Sequence, residues 1–158
     1  MQGWRAEGGT PMLQASENAR RHVAMRFSKP YATISLREAT WWPDRNSNKP
    51  EWAKVAVWLR EQGIQPVIVP DTQGTGLGLH GDFEEFLPAS FDIDLRAALY
   101  EGAAINLGVL NGPMSLLAYL KARYLICKVV TETAVAASTE FLRAHGYESG
   151  DDFGGNGK

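Results

Sequence analysis

The stretch NKPEWAKVAVWLREQGIQPVIVPDT, residues 48–72, decides the fold class. Asn48 is placed to cap a helix, and Glu51 three residues later completes a pair of the capping-box type. Trp52, Val55, Ala56 and Leu59 then recur at helical spacing and make one apolar stripe. On that spacing Trp52, Val55 and Leu59 should face a sheet. Gly63 stands where a helix commonly ends. Pro66-Val67-Ile68-Val69-Pro70 follows as a short unbroken apolar run. Such runs suit a parallel strand covered on both faces. A capped amphipathic helix leading into a strand of that kind is half of a β-α-β unit.

Working outward, the same alternation repeats. Upstream, Tyr31 to Leu36 reads as a strand, after a helical stripe of Met12, Ala15, Ala19, Val23 and Phe27. Lys29-Pro30 stops that helix. Downstream, residues 73–90 read as loop, with room for one helical turn at 82–87. Asp92 or Asp94 can start a helix through Leu95, Ala98 and Leu99. Residues 104–109 form a third strand, and Asn111-Gly112-Pro113 opens a helix carrying Leu116, Leu117 and Leu120. Residues 124–130 form a fourth strand, and 138–145 a last helix. Strands alternating with helices imply an α/β, three-layer Rossmann-like domain around a mainly parallel sheet of about four strands. The expected organisation is a loose terminus at 1–10, the domain at 11–145 and a tail at 146–158.

Composition sets outer bounds. The chain has 158 residues, about one domain's worth, with 16 basic and 18 acidic side chains. That balance argues against nucleic acid as a partner. The single cysteine, Cys127, excludes an intramolecular disulfide framework and is expected mid-strand as a buried thiol. His22, His80 and His145 fall in no ligand-spaced pair, so no metal or other cofactor is expected. No stretch approaches the ~18 apolar residues that span a bilayer. The start carries no secretory pattern, so the expected compartment is the cytoplasm.

In parallel sheets ligands bind beyond the carboxyl ends of the strands. Three places there can carry chemistry. Arg37 follows the first strand, and Arg45-Asn46 ends the same loop. Guanidinium groups bind phosphate through paired hydrogen bonds; the alternative, favoured on sequence alone, is that Arg37 and Arg45 sit at the surface in ordinary ion pairs, for example with Glu38 or Asp44. Asp71 closes the second strand, where it can accept from a ribose or base or cap a loop. Asn111-Gly112-Pro113-Met114-Ser115 forms a strand-to-helix turn. Its glycine permits close approach, and the amides of Met114 and Ser115 are expected to be free for an anion. Trp41-Trp42 can stack on a base or sugar ring, or pack as core or lid. Gly76-Leu77-Gly78-Leu79-His80-Gly81 spells GxGxxG, but five residues separate it from the strand end at Pro70, so it does not close a strand as a dinucleotide fingerprint must.

Ile34 to Glu38, Arg45 to Ser47, Val67 to Thr72 and Asn106 to Met114 together resemble the carboxyl-terminal, donor-binding half of a GT-B glycosyltransferase. The likeness spans about residues 31–130 and is greatest to the heptosyltransferase-like and fucosyltransferase-like branch. In those enzymes an arginine after a strand contacts the donor phosphate, an acidic residue closes a later strand near the nucleoside, and a small-residue turn before a helix receives the diphosphate. Arg37, Asp71 and Asn111-Gly112-Pro113 stand in those places in order. The resemblance implies a nucleotide-sugar donor, bound through its diphosphate. It also implies a second α/β half or partner chain carrying the acceptor side, so the chain is expected to be incomplete as an enzyme. The alternative is a non-catalytic ligand-binding module, or a remnant that works only with a partner chain.

Overall fold

A computed structural model describes residues 12–74, 82–127, 129–133, 135 and 138–144. Ser16 caps α1 (Glu17–Arg26) by accepting from the Ala19 amide. Then come β1 (Tyr31–Ser35), α2 (Lys49–Glu61), β2 (Gln65–Val69) and β3 (Glu84–Glu85). After these lie α3 (Pro88–Phe91), α4 (Ile93–Gly102), β4 (Ile105–Val109), β5 (Tyr124–Cys127) and α5 (Thr139–Ala144). Two 3-10 helices, Pro43–Arg45 and Pro113–Tyr119, sit in the loops after β1 and β4.

The five strands are all parallel, in the order β3-β2-β1-β4-β5. From β1 the chain steps outward through β2 to β3, then crosses back to β4 and β5. Right-handed crossovers place connections of opposite direction on opposite faces. Two separate cores result. Ala32, Ile34, Leu36, Ile68 and Leu107 pack under Ala56 and Leu59 of α2, with Trp52 and Val55 at the margin. Tyr31, Val67 and Val69 pack on the other face under α1, α4 and the second 3-10 helix.

Polar groups in the second layer are paired. Thr33 Oγ1 donates to Asn106 Oδ1 at 2.6 Å, and Asn106 Nδ2 donates to the carbonyls of Tyr100 and Arg123. Ser35 Oγ meets Tyr100 OH at 2.8 Å. Tyr31 OH donates to the Leu99 carbonyl, and burial pushes its pKa above the ordinary phenol value. A Cβ on Gly108 would lie 2.7 Å from the Ser35 carbonyl oxygen, so β4 approaches β1 closely only because glycine stands there.

Several expectations need correction. The segment at 82–87 is not a helical turn. Glu84 and Glu85 pair with Val67 and Ile68, because the open edge of β2 recruits whatever backbone lies beside it. Pro88–Phe91, read as loop, is a helical turn. Asn48 occupies the N-cap of α2 but makes no side-chain cap bond. Met12 precedes α1 and is exposed, while Ala15, Ala19, Val23 and Phe27 are buried as the stripe requires. Cys127 is exposed at the end of the edge strand β5, which alternates half-buried and exposed positions because it has a neighbour on one side only. The segment after Pro113 winds as a 3-10 helix. At ~2.0 Å per residue its seven residues reach about 14 Å, where an α-helix at ~1.5 Å would cover about 10 Å. The GxGxxG stretch, His80, His145 and both termini lie outside the described residues. Gly63 takes φ +75° and ends α2 as expected.

Candidate functional site at the carboxyl edge of the sheet

The strand order reverses between β1 and β4, and a crevice for ligands opens beyond the carboxyl ends at such a point. The residues there are Leu36-Arg37 and Leu110-Asn111. Asn111 Nδ2 reaches the Leu36 carbonyl at 3.5 Å and ties the two strand ends together.

Arg37 has only 4% of its surface exposed, and its guanidinium turns back into its own loop. Nη1 donates to the Trp42 carbonyl at 3.1 Å and to Asn46 Oδ1 at 2.5 Å, and Nη2 donates to the Trp41 carbonyl at 3.2 Å. Its backbone exchanges bonds with Ser47. Nε–H and one Nη2–H have no partner among the described residues. Burial lowers the Arg37 pKa from its ordinary value, and neighbouring Arg45 lowers it further, against Asp71 and Asp44. Asn46 closes the loop a second time, accepting from the Ala39 amide and donating to the Ala39 carbonyl.

That brace holds two tryptophans outward. Trp41 is 58% and Trp42 44% exposed, with ring centroids 4.7 Å apart. Trp42 adopts φ 52°, ψ 61°, the left-handed region that a bulky residue rarely enters. The Pro43 after it disfavours the right-handed alternative. The guanidinium of Arg37 lies 5.6 Å from the Trp41 ring and that of Arg45 lies 5.8 Å from the Trp42 ring. The four side chains form one cation–aromatic–aromatic–cation row. Arg45 is half-buried; its amide donates to the Trp42 carbonyl at 3.1 Å, while its guanidinium makes no hydrogen bond or ion pair to any described residue.

The ion pairs considered for the arginines do not form. Glu38 pairs with Lys49, and Asp44 accepts from Thr131 and Thr133. Those two threonines hold the Asp44 carboxyl below the ordinary carboxylate range. Asp71 accepts from the Glu38 amide at 2.9 Å and from Thr72 Oγ1 at 3.3 Å, so it caps the loop from the neighbouring strand. Gly74 comes so near the Glu38 carboxylate that a Cβ there would push that side chain aside.

At the second turn, the expectation of free amides is not met. Asn111 Oδ1 accepts from the Met114 amide at 2.9 Å. The Ser115 amide donates to the Gly112 carbonyl at 3.0 Å, and Ser115 Oγ to the Asn111 carbonyl. A Cβ on Gly112 would meet nothing within 4 Å, so the surface above this turn is open. Arg37, Arg45, Asn46 and Asp71 thus form one cluster. Asn111 to Ser115 follow β4, whose end is tied to that of β1 by the Asn111 bond to the Leu36 carbonyl. Sequence reasoning missed Thr131 and Thr133, which follow β5 and carry no local motif. It also missed Arg96, hidden in the apolar run Leu95-Arg96-Ala97-Ala98-Leu99.

No protein-family model matches the chain, and no curated protein matches it. Solved structures do. The ADP-heptose LPS heptosyltransferase II of E. coli superposes with a TM-score of 0.60 at 16% identity, over 82% of this chain and 42% of that one. A family 9 glycosyltransferase from Veillonella parvula superposes with a TM-score of 0.60 at 10% identity, over 85% and 47%.

The chain has the fold of half a heptosyltransferase-like GT-B glycosyltransferase.

It spans less than half the length of either of these two proteins. Among the described residues, no helix is long and apolar enough to cross a membrane. No three His, Cys, Asp or Glu side chains there gather to hold a metal ion.

Proposed function

We propose that the β1–β4 crevice binds the diphosphate of a nucleotide-sugar donor, and that the domain serves as the donor-binding half of a glycosyltransferase in the cytoplasm. One observation carries this: an unpaired Arg45 guanidinium over the exposed Trp42 ring, at the switch point of a parallel sheet. Glycosyl transfer expels a diphosphate whose charge needs a fixed cation. Arg45 supplies that cation, with the spare donors of Arg37 behind it. The exposed rings of Trp41 and Trp42, tilted 49° to each other, offer the donor's base an aromatic face, and stacking on one such face is worth ~1–3 kcal/mol. Asn46 and Asp71 hold the loop that presents these groups. The Asn111–Ser115 turn supplies the opposite wall, with Gly112 leaving the approach clear.

Titration of nucleoside diphosphates against tryptophan fluorescence tests this. Saturable quenching that disappears in Trp42→Ala supports it; no quenching by any of the common nucleoside diphosphates refutes it.

A second reading rests on Phe91 and Ile93, which are 68% and 71% exposed at the same edge. Apolar side chains so placed suit a module that works against a partner chain without catalysing transfer itself. Turnover of a sugar nucleotide by this chain alone would count against it.

A further inference from the structure

Arg96 sits in the middle of α4 with 7% of its surface exposed, and no carboxylate of the described residues lies within ion-pair distance of it. Nε donates to the Ala89 carbonyl at 2.6 Å and Nη1 to Tyr100 OH at 3.0 Å. One Nη1–H and both Nη2–H groups have no described partner. The residue is buried, yet its unpaired nitrogen is not sealed from solvent, so these donors face an opening from which an anion can approach.

What lies beside it is a cavity of about 300 Å³, bounded by Ser90, Asp92, Arg96, Gly112, Pro113 and Leu116. Two other polar side chains line it, and the Asp92 Oδ2 atom has no described partner. Ser90 Oγ donates to the Pro70 carbonyl, and Asp92 Oδ1 accepts from the first amides of α4. Arg96 is therefore the charged donor this cavity has to offer. Its walls otherwise include Leu116 and the largely exposed Phe91 and Ile93. Gly112 and Pro113 belong both to this cavity and to the turn that walls the crevice.

We propose that Arg96 binds an oxyanion of the ligand, so that the cavity, which shares Gly112 and Pro113 with the turn after β4, is a second anion subsite. The proposal rests on the reading of the crevice as a nucleotide-sugar site. The oxyanion has two possible sources with one chemistry: a phosphoryl oxygen of the diphosphate, or a carboxylate on the sugar. A planar guanidinium with three free donors accepts either in a paired geometry. Tyr100, bonded to both Arg96 and Ser35, fixes where the guanidinium points.

The test follows the arginine side-chain nitrogen resonances of the wild-type chain by NMR. Inorganic pyrophosphate, a nucleoside diphosphate, a neutral nucleotide sugar and a nucleotide uronic acid are titrated in turn. Arg96→Met, which keeps the length of the stem without the charge, assigns the signal and reports the affinity change. A shift of the Arg96 resonances with pyrophosphate and nucleoside diphosphate, and at least tenfold weaker binding in Arg96→Met, supports the phosphoryl source. A shift seen only with the uronic acid supports the carboxylate. Arg96 resonances unmoved at saturation by all four overturn the proposal, and this readout survives even if Arg96→Met does not fold. Nucleoside diphosphate binding with Arg96 unmoved would sink this subsite and leave the crevice reading intact. A pyrophosphate shift of Arg96 with no nucleoside diphosphate binding at the tryptophans would do the reverse.

Discussion

Replacing Arg37 by alanine removes a brace before it removes a ligand contact. The lost interactions are the bonds to Asn46 Oδ1 at 2.5 Å, to the Trp42 carbonyl at 3.1 Å and to the Trp41 carbonyl at 3.2 Å. A hydrogen bond to a charged donor is worth ~1.5–3 kcal/mol when well formed and buried. The Asn46 bond is short and part-buried, so it falls toward the lower end of that range. The two carbonyl bonds are near the long limit for N–H···O, and both tryptophans are exposed, so water can replace much of each. Counting ~1.5–2 kcal/mol for the first and ~0.5–1 for each of the others gives a loss of about 2.5–4 kcal/mol. With a urea dependence of ~1.5–2 kcal/mol per molar, the midpoint should fall by roughly 1–3 M. Urea denaturation followed by circular dichroism measures this, and the near-ultraviolet signal of Trp41 and Trp42 should weaken already in the absence of urea. A stability change below ~0.5 kcal/mol, with nucleoside diphosphate affinity down tenfold, would refute the brace and return Arg37 to the role of a direct phosphate ligand.

Leu59→Ala should cost ~2–5 kcal/mol, because Leu59 is 2% exposed between α2 and Ile34, Ile68 and Leu107; calorimetric unfolding checks it, and a surface-sized change would put the wrong face of α2 on the sheet. Gly112→Val should leave the melting temperature within a few degrees, since its Cβ meets open space, yet abolish nucleoside diphosphate binding; unchanged affinity would clear this turn of any role. Asp94 accepts from the amide and hydroxyl of Ser16, which hold its carboxyl below the ordinary range. A depressed pKa in the folded chain means a contribution present above the unfolded value and lost as pH falls through the folded one. The melting-temperature gap between wild type and Asp94→Asn should therefore narrow as pH falls below about 4, and a constant gap from neutral to pH 3 would contradict this.

The layered α/β fold was legible because its signals are local. The stripe Val55, Ala56 and Leu59 and the run Val67-Ile68-Val69 each encode one element, and alternation supplies the rest. Gly63 was legible for the same reason. Glu84–Glu85 was not, because a two-residue edge strand is made by the open backbone of β2 and not by its own side chains. Cys127 was misplaced because a strand's position in the sheet, edge or centre, is not written in its residues. The candidate site was legible in its address and not in its wiring. Strand ends pointed to Arg37, Asp71 and Asn111 to Ser115. Arg37 and Asp71 bond back into the loop after β1, and the amides of Met114 and Ser115 bond within their own turn. Such closure depends on where partners from 3 to 33 residues away arrive. Arg96 needed the fold outright: flanked by leucine and alanine, it reads as an ordinary helix surface until α4 is laid on the sheet.

Calorimetric titration of a nucleoside diphosphate, with the matching nucleoside as control, tests donor binding most directly. The wild-type chain should bind the diphosphate form saturably and the nucleoside at least tenfold more weakly, with Arg45→Ala losing that preference while keeping its fold. Equal binding of diphosphate and nucleoside, or an Arg45→Ala titration superposable on wild type, would contradict the assignment of the β1–β4 crevice as a diphosphate site.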